Sequence, residues 1–269
     1  MIAPVVSRAR RDGLALALLA LTVRVEPAFA ADRQATIERV RASVVAIGTF
    51  EQTRSPQFQF LGTGFAVGDG TLIVTNAHVV PALLDPARGE RMAVVLPGKS
   101  RDAKDKDEVQ ARDAKRIAID ANADLALLKI SGAPLPTLTL RDSDTVREGQ
   151  DVLFTGFPIG AVLGPFPATH RGMVSVVTPI AIPQGRAADL DPSTVRRLAT
   201  GSFPVFQLDA TAYPGSSGSP VYDPETGEVL GIVNMVFVKG TKESVLSQPS
   251  GITYAVPSVH LKRLIDKAR

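Results

Sequence analysis

Short apolar runs separated by glycine, proline and polar residues dominate the chain from residue 44 onward. Runs rich in Val, Ile, Phe and Thr and bounded by turn residues predict β-strands. The clearest are Val44–Phe50, Gly64–Val67, Thr71–Thr75, Met92–Leu96, Ala126–Ile130, Asp151–Gly156, Gly172–Val177, Phe203–Leu208, Val229–Val238 and Ile252–Val256. Strands at this spacing predict an all-β fold, either a sandwich or barrels.

Apolar residues at helical spacing occur only near the two ends of the β-rich region. Thr36–Ala42 predicts a short opening helix, and Ser258–Lys267 predicts a closing helix that a serine caps. The segment Pro134–Gln150 contains prolines, charges and glycine, which is typical of a connection between two similar β halves. Gly98–Arg116 is dense in both charge signs and predicts a solvated hairpin tip rather than a binding patch.

The first 30 residues have the features of an export signal. Arg8, Arg10 and Arg11 precede an apolar run at Gly13–Val23, and Ala28-Phe29-Ala30 gives a small-x-small cleavage site. The run is short for a bilayer span, which takes about 20 residues. We therefore expect an exported protein, periplasmic or secreted, with no stable membrane span after cleavage. An uncleaved anchor or a buried N-terminal helix is the alternative.

Composition excludes several classes of function. The net charge is only +3, and most of it lies in the first 30 residues, so nothing favours nucleic acid or anionic lipid as a partner. The absence of cysteine excludes disulfides and thiol chemistry. Three histidines without His-x-x-x-His spacing do not indicate a metal site, and we expect no cofactor.

Candidate chemistry centres on Ser217, which lies between Gly215 and Gly218 in the segment Pro214–Pro220. His78 and Asp124 precede it, each beside an apolar run, and the order His, Asp, Ser is a known arrangement of base, orienting carboxylate and nucleophile.

A serine hydroxyl needs a base and an oxyanion site to act as a nucleophile. We assign the base to His78, the orienting acid to Asp124 and the oxyanion donors to the N–H groups of Gly215 and Ser217. His170, His260 and Asp120 are weaker candidates, since their sequence surroundings do not favour these roles. The order Ser, Asp, His and the Gly-x-Ser-x-Gly motif of an α/β-hydrolase esterase are both lacking.

The chain resembles the protease domain of the HtrA/Deg family within the chymotrypsin-like (trypsin-fold) serine proteases. The matching motifs are Gly62-Thr63-Gly64-Phe65, Thr75-Asn76-Ala77-His78-Val79-Val80, Ala123-Asp124-Leu125-Ala126-Leu127-Leu128-Lys129, Leu140-Arg141-Asp142-Ser143-Asp144, Thr155-Gly156-Phe157-Pro158-Ile159-Gly160, Arg171-Gly172-Met173-Val174-Ser175, Gly227-Glu228-Val229-Leu230-Gly231-Ile232 and Gly251-Ile252-Thr253-Tyr254-Ala255-Val256-Pro257.

The resemblance implies two antiparallel β-barrels with the active site in the cleft between them. It divides the chain into a signal peptide at 1–30, an N-terminal barrel with His and Asp at 31–140, and a C-terminal barrel with Ser and the terminal helix at 141–269. It also implies polypeptide substrates and a possible homo-oligomer. We expect no PDZ domain, which the family usually carries after the protease. Residues 159–171 are a candidate activation or lid loop.

Two residues depart from the family pattern Gly-Asn-Ser-Gly-Gly-Pro. Ser216 replaces the Asn and Ser219 replaces the second Gly, which is a position where backbones approach closely. These changes leave open a non-catalytic binding or chaperone module on the same fold as the alternative function.

The resemblance also places a primary substrate pocket. Thr211 and Ala212 correspond to its floor, and Val233, Asn234 and Met235 lie near its wall. Because the floor has no acidic side chain, we expect cleavage after small or medium aliphatic residues rather than after Lys or Arg.

Overall fold

The strands of the protein close into two antiparallel barrels. The computed structural model describes residues 28–96, 111–158, 166–179, 203–234 and 251–268. The first barrel contains β1 (Val44–Phe50), β2 (Phe58–Val67), β3 (Leu72–Asn76), β4 (Arg91–Val95), β5 (Ala111–Asp120) and β6 (Leu125–Ile130). The second contains β7 (Asp151–Gly156), β8 (Ala168–Pro179), β9 (Pro204–Asp209), β10 (Pro220–Tyr222), β11 (Val229–Asn234) and β12 (Ile252–Pro257).

Both barrels have the same strand order. The first runs β1-β2-β3-β6-β5-β4 and closes where β4 pairs with β1, and the second runs β7-β8-β9-β12-β11-β10 and closes where β10 pairs with β7. Helices α1 (Ala28–Arg41) and α2 (Ser258–Ala268) flank the barrels in the chain, and single 3-10 turns form at Ala77–Val79, Pro86–Arg88 and Ser143–Thr145. The predicted all-β architecture of two barrels is confirmed.

The central strands are apolar on both faces because each face packs against a different core. In β1, Val45 and Ile47 belong to the interior of the first barrel, whereas Val44 and Ala46 join a cluster shared between the barrels and α2. Side chains alternate along a strand, so a strand buried on both sides appears in sequence as an unbroken apolar run. The second barrel has its own interior core, which includes Phe154, Leu208 and Val233.

The closing helix seals the shared cluster as its spacing predicted. Leu261, Leu264 and Ile265 are buried in that cluster. The Ser258 hydroxyl donates to the Arg141 carbonyl at 2.5 Å, which ties the start of α2 to the segment between the barrels. Helix α2 thus adds apolar surface to the contact between the two barrels.

The sequence pattern did not predict every strand. Residues 111–116, predicted as part of a hairpin tip, belong to β5, which pairs with β4 and β6. The prediction was wrong because the charged side chains of β5, such as Lys115 and Arg116, are exposed on the outside of the barrel. The three-residue strand β10 and the first half of β2 were also missed, and α1 begins earlier than Thr36.

Several predictions fall outside the described residues. They include the predicted signal up to residue 27, the charged stretch 97–110, residues 159–165 of the candidate lid, the end of the predicted strand at 235–238 and the pocket residue Met235. Among the helices of the described part, none is long and apolar enough to cross a membrane.

The close packing of β2 leads to a prediction about Gly64. A Cβ at this position would lie 2.5 Å from Ile47 Cδ1, 2.8 Å from Ile73 Cγ2 and 2.9 Å from the Val74 carbonyl oxygen. Since the neighbours are core side chains and backbone, Gly64→Ala should lower the free energy of unfolding by about 1–3 kcal/mol, measured by urea denaturation.

Gly251 provides the matched control, because a Cβ there would meet nothing within 4 Å. Gly251→Ala should change the unfolding free energy by less than about 0.5 kcal/mol. Equal stability of the two variants would contradict the packing argument.

Candidate active site

His78 lies on the 3-10 turn Ala77–Val79, directly after β3. Its Nδ1 is 2.5 Å from Asp124 Oδ2, and its backbone N–H donates to Asp124 Oδ1 at 2.9 Å. An ionised carboxylate only accepts, so His78 Nδ1 is the donor in this contact when Asp124 is ionised. Both oxygens of one carboxylate therefore orient the backbone and the ring of His78, whose side chain remains 30% exposed.

Asp124 occupies a left-handed backbone conformation immediately before β6. Its φ of 53° is positive, which non-glycine residues adopt rarely and Asp tolerates better than most. Its carbonyl accepts the Ala77 N–H at 3.0 Å and the Asn76 side-chain amide at 3.2 Å. Asp120 does not contact His78. Instead, its Oδ1 accepts the N–H groups of Asn122 and Ala123 and so shapes the turn that leads to Asp124.

Asn234 adds a partner from the second barrel. Its side-chain amide donates to Asp124 Oδ2 at 2.8 Å, the same oxygen that faces His78 Nδ1. Asn234 is fully buried at the end of β11. The carboxylate is thus held from both barrels, which fixes the ring of His78 relative to the second barrel.

Ser217 lies on a tight turn that leads into β10. The turn is held by internal hydrogen bonds, from Ser216 N–H to the Tyr213 carbonyl at 2.9 Å and from Ser219 N–H to the Ser216 carbonyl at 3.0 Å. Gly215 and Gly218 have φ of 98° and 90°, which L side chains rarely adopt. A Cβ on Gly218 would also overlap the Thr63 carbonyl oxygen, so this position has no room for a side chain.

The turn at residues 213–219, which we call the serine turn, meets the 3-10 turn that carries His78 on either side of Gly62 in β2. A Cβ at Gly62 would lie 2.7 Å from the side chain of Val79, the neighbour of His78, and 3.1 Å from the Ser217 carbonyl oxygen. The Ser217 carbonyl accepts the N–H of Thr63 at 2.8 Å, and the Gly218 N–H donates to the Val233 carbonyl at 3.0 Å. Residues distant in sequence are therefore brought to one place between the barrels.

The two N–H groups assigned to the oxyanion site differ from their neighbours in hydrogen bonding within the described part of the chain. Among the described residues, those of Gly215 and Ser217 donate to no backbone carbonyl, whereas the N–H groups of Ser216, Gly218 and Ser219 all do. Donors left unpaired beside a serine are what a developing oxyanion requires.

The residues predicted for the substrate pocket lie on two neighbouring segments. Ala212 is buried, and its N–H donates to the Thr253 hydroxyl at 3.1 Å; the same hydroxyl donates to the Ala210 carbonyl at 2.7 Å. Thr211 is half-buried, and Val233 is fully buried in the core of the second barrel. Asn234 contacts Asp124 as described, and the pocket roles of these residues stay predictions.

Ser219, where the family has Gly, fits because its neighbour is also a glycine. A Cβ on Gly156 would overlap Ser219 Oγ, so Gly156 provides the space that this hydroxyl occupies. The Oγ atoms of Ser216 and Ser219 are both buried without a hydrogen-bond partner in the described part of the chain.

The other two histidines are held by aromatic packing. His170 of β8 stacks on Phe154 with ring centroids 4.9 Å apart, and burial lowers its pKa. The ring of His260 lies 4.3 Å from that of Phe203 and is half-buried. Burial and then Arg263 lower the pKa of His260, which lines a cavity of about 710 Å³ with Arg147 and Phe206.

Sequence reasoning missed the supporting residues of the site. Nothing in the motif around Asn234 signals a contact with a carboxylate more than a hundred positions earlier. Thr63 and Thr75 were noted only as parts of motifs, yet Thr75 Oγ1 donates to the Thr63 carbonyl at 2.7 Å and Thr63 Oγ1 donates to the Gly215 carbonyl at 2.7 Å. Within the described ranges, no three potential metal ligands cluster.

Two six-stranded barrels with a His–Asp pair and a serine turn between them define the chymotrypsin-like class of folds and sites. The chain belongs to the family of trypsin-like peptidase domains, whose family model matches residues 62–232. This range includes His78, Asp124 and Ser217.

Curated relatives extend the match and confirm the predicted resemblance to the HtrA/Deg family. A probable periplasmic serine endoprotease, DegP-like, of Pseudomonas putida strain F1 is 30% identical over 213 residues, covering 77% of this chain and 36% of the relative. Its counterpart from Rickettsia prowazekii strain Madrid E is 31% identical over 220 residues, covering 81% and 35%. The chain thus spans about a third of the length of these relatives.

A solved structure shows the same fold. An HtrA-type protease, AlgW, determined with a tripeptide, superposes with a TM-score of 0.59 at 22% identity, covering 87% of this chain and 62% of that one. At this identity the likeness supports the double-barrel architecture and no finer detail.

The packing of His170 predicts a pH-dependent contribution to stability. Burial lowers the folded-state pKa of His170 below its ordinary value of 6.5, so the unfolded chain binds the proton more readily. The wild type should therefore lose unfolding free energy relative to His170→Phe as the pH falls below about 6.5, and the difference should be constant above that pH.

Denaturant titrations of both proteins between about pH 8 and pH 5 measure this difference. His260 is present in both chains, so its own titration cancels in the comparison. A difference that does not change over this range would contradict the assignment.

Proposed function

We propose that the protein is a serine endopeptidase that hydrolyses peptide bonds of unfolded or extended polypeptides through an acyl-enzyme on Ser217. The observation that carries this proposal is the 2.5 Å contact of His78 Nδ1 with Asp124 Oδ2 beside the turn that holds Ser217. The relatives from Pseudomonas putida and Rickettsia prowazekii are named probable periplasmic serine endoproteases, which supports the same reaction.

The first half of the reaction forms the acyl-enzyme. Asp124 engages Nδ1 of His78, which leaves Nε2 as the nitrogen that takes the Ser217 hydroxyl proton. The Ser217 oxygen attacks the substrate carbonyl carbon, and the oxygen of that carbonyl becomes an anion that the N–H groups of Gly215 and Ser217 stabilise. His78 then donates its proton to the leaving amine, and the carbon–nitrogen bond breaks.

The second half returns the enzyme to its starting state. Water replaces the departed amine, His78 takes a proton from it, and the resulting hydroxide attacks the ester carbonyl. Collapse of the second tetrahedral intermediate releases the carboxylic acid and returns the proton to the Ser217 oxygen. Asp124 stabilises the imidazolium of His78 in both halves of the reaction.

We propose that the substrate lies extended along a strand in the cleft, because an extended peptide can bind a strand through main-chain hydrogen bonds. We assign the floor of the primary pocket to Thr211 and Ala212, and the two hydrogen bonds of Thr253 to Ala210 and Ala212 hold this segment in place. The pocket residues Thr211, Ala212, Val233 and Asn234 include no acid that would attract a basic side chain.

We further propose that the protein is exported. The charged start, the apolar run and the cleavage site of residues 1–30 support this proposal, and so do the names of the relatives, which are described as periplasmic. An exported enzyme without cysteines depends on its apolar cores rather than on disulfides for stability.

Removing the nucleophile or the base should abolish turnover. Ser217→Ala and His78→Ala should each lower kcat for an unfolded casein substrate by a factor on the order of 10⁶, because nucleophile and base act as one unit. A fluorophosphonate probe should label the wild type and leave Ser217→Ala unlabelled.

Ser131, an exposed serine in the loop after β6, provides the matched control. The Ser131→Ala variant should keep kcat within about twofold of the wild type. Equal cleavage by the wild type and by Ser217→Ala would reject the assignment. A wild type that binds unfolded casein without labelling would favour the binding or chaperone module instead.

The pocket composition predicts the cleavage preference. A peptide panel that varies only the residue before the scissile bond should show higher kcat/KM for Ala, Val and Leu than for Lys or Arg. The physical reason is that a buried cation without a counter-charge pays its desolvation cost. Preferential cleavage after Arg would contradict this account of the pocket.

A further inference from the structure

Thr63 belongs to the first barrel, but its side chain forms hydrogen bonds with residues of the second half of the chain. It lies in β2 and is fully buried. Its hydroxyl donates to the Gly215 carbonyl at 2.7 Å and accepts the N–H of Phe157 at 3.0 Å. Its backbone N–H donates to the Ser217 carbonyl at 2.8 Å. One residue therefore holds the two carbonyls on either side of Ser216, at the centre of the serine turn.

The hydroxyl contact fixes a peptide plane at the centre of the proposed oxyanion site. The peptide between Gly215 and Ser216 is held at its carbonyl by Thr63 and at its N–H by the Tyr213 carbonyl, 2.9 Å away. This plane links the N–H of Gly215 to the N–H of Ser217. With the central plane held at both ends, these two donors keep one relative direction before any substrate arrives.

Rotation of that peptide plane would be costly because Thr63 and Ser216 are buried. It would break the bond to the Tyr213 carbonyl and leave the fully buried Thr63 hydroxyl without its acceptor. Leaving a buried polar group without a partner costs more free energy than the intact hydrogen bond contributes to stability. The glycine conformation at 215, with φ of 98°, has few other restraints of its own, since glycine moves freely between backbone regions.

The position is chemically specific for a hydroxyl. Gly62 and Gly64 flank Thr63, and a Cβ on either glycine would clash with neighbouring atoms. Thr63 is therefore the one residue of positions 62–64 where the packing accommodates a side chain. Any residue except proline can make the backbone bond to the Ser217 carbonyl, whereas the bond to the Gly215 carbonyl needs a side chain with a donor. The two contacts can therefore be separated by substitution.

We propose that Thr63 is a positioning residue for the reaction, whose hydroxyl holds the Gly215–Ser216 peptide so that the Gly215 and Ser217 N–H groups converge on the oxyanion. This inference rests on the proposed function, because it assigns Thr63 to the oxyanion site of that reaction. Thr63 touches neither substrate nor reacting atoms in this account and acts through the serine turn.

Thr63→Val tests the hydroxyl directly, because valine has nearly the shape of threonine and no donor. We expect kcat to fall by roughly 10- to 100-fold, because a misdirected donor should cost no more than a donor that is missing, which costs about 100- to 1000-fold, and we expect KM to stay within about threefold. The inhibition constant of a peptidyl boronic acid, whose tetrahedral adduct places an oxygen in the oxyanion site, should rise in parallel. Thr63→Ser restores the donor and should keep kcat within about threefold of the wild type.

Thr63→Ala and Thr63→Ser form a second pair that differs by one oxygen atom, for use if Thr63→Val does not fold. The serine variant should exceed the alanine variant in kcat by at least about tenfold. A Thr63→Val enzyme with wild-type kcat would overturn the proposal. So would a folded Thr63→Ser enzyme that loses as much kcat as Thr63→Val or Thr63→Ala, because the loss would then come from packing.

Amide hydrogen exchange separates this inference from the proposed function. In the folded variants, exchange at Ser216 should be faster in Thr63→Val and Thr63→Ala than in the wild type and Thr63→Ser, whether or not the protein cleaves peptides. Exchange that is unchanged in all variants would overturn the positioning role. If the wild type proves inactive while exchange responds to the hydroxyl, the proposed reaction fails and the structural role of Thr63 stands.

Discussion

Hydrogen bonds that cross between the two barrels are the constraint on which the site depends. The Asn234 amide reaches from β11 to the Asp124 carboxylate, and Thr63 reaches from β2 to the serine turn. Each barrel has an apolar core of its own, but neither contains a complete set of reacting groups. The shared apolar cluster, sealed by α2, keeps the two surfaces in contact, and the polar bonds then set their alignment.

The two halves of the site are fixed by different means. The serine turn is held by backbone hydrogen bonds and by the Thr63 hydroxyl, with positive-φ glycines at positions 215 and 218. The histidine is held by a side chain, because both oxygens of Asp124 bind His78. The left-handed backbone at Asp124 is the strained element, and hydrogen bonds from Ala77, Asn76 and His78 maintain it. Backbone strain of this kind persists only where the surroundings over-determine it.

Much of this arrangement was predictable because its signals are local. Unbroken apolar runs such as Val44–Phe50 correspond to strands buried on both faces, and the glycines around Ser217 mark a turn with unusual backbone angles. Strand β5 was not predicted because its outward side chains carry charge. Strand β10 was not predicted because three residues are too few to show an alternation of apolar and polar positions. The role of Asn234 was not predictable, since its contact with Asp124 joins residues 110 positions apart.

The sequence by itself determined the types of groups available: a serine between glycines, a histidine and an aspartate beside strands, and two similar runs of apolar segments. These follow from local chemistry, because turn geometry, side-chain ionisation and strand periodicity each depend on a few neighbouring residues. Only the tertiary structure decided which groups meet. It placed the Asn234 amide against Asp124 and brought the Thr63 hydroxyl to the Gly215 carbonyl. Such choices depend on how two closed barrels pack, and packing is a property of residues far apart in the chain.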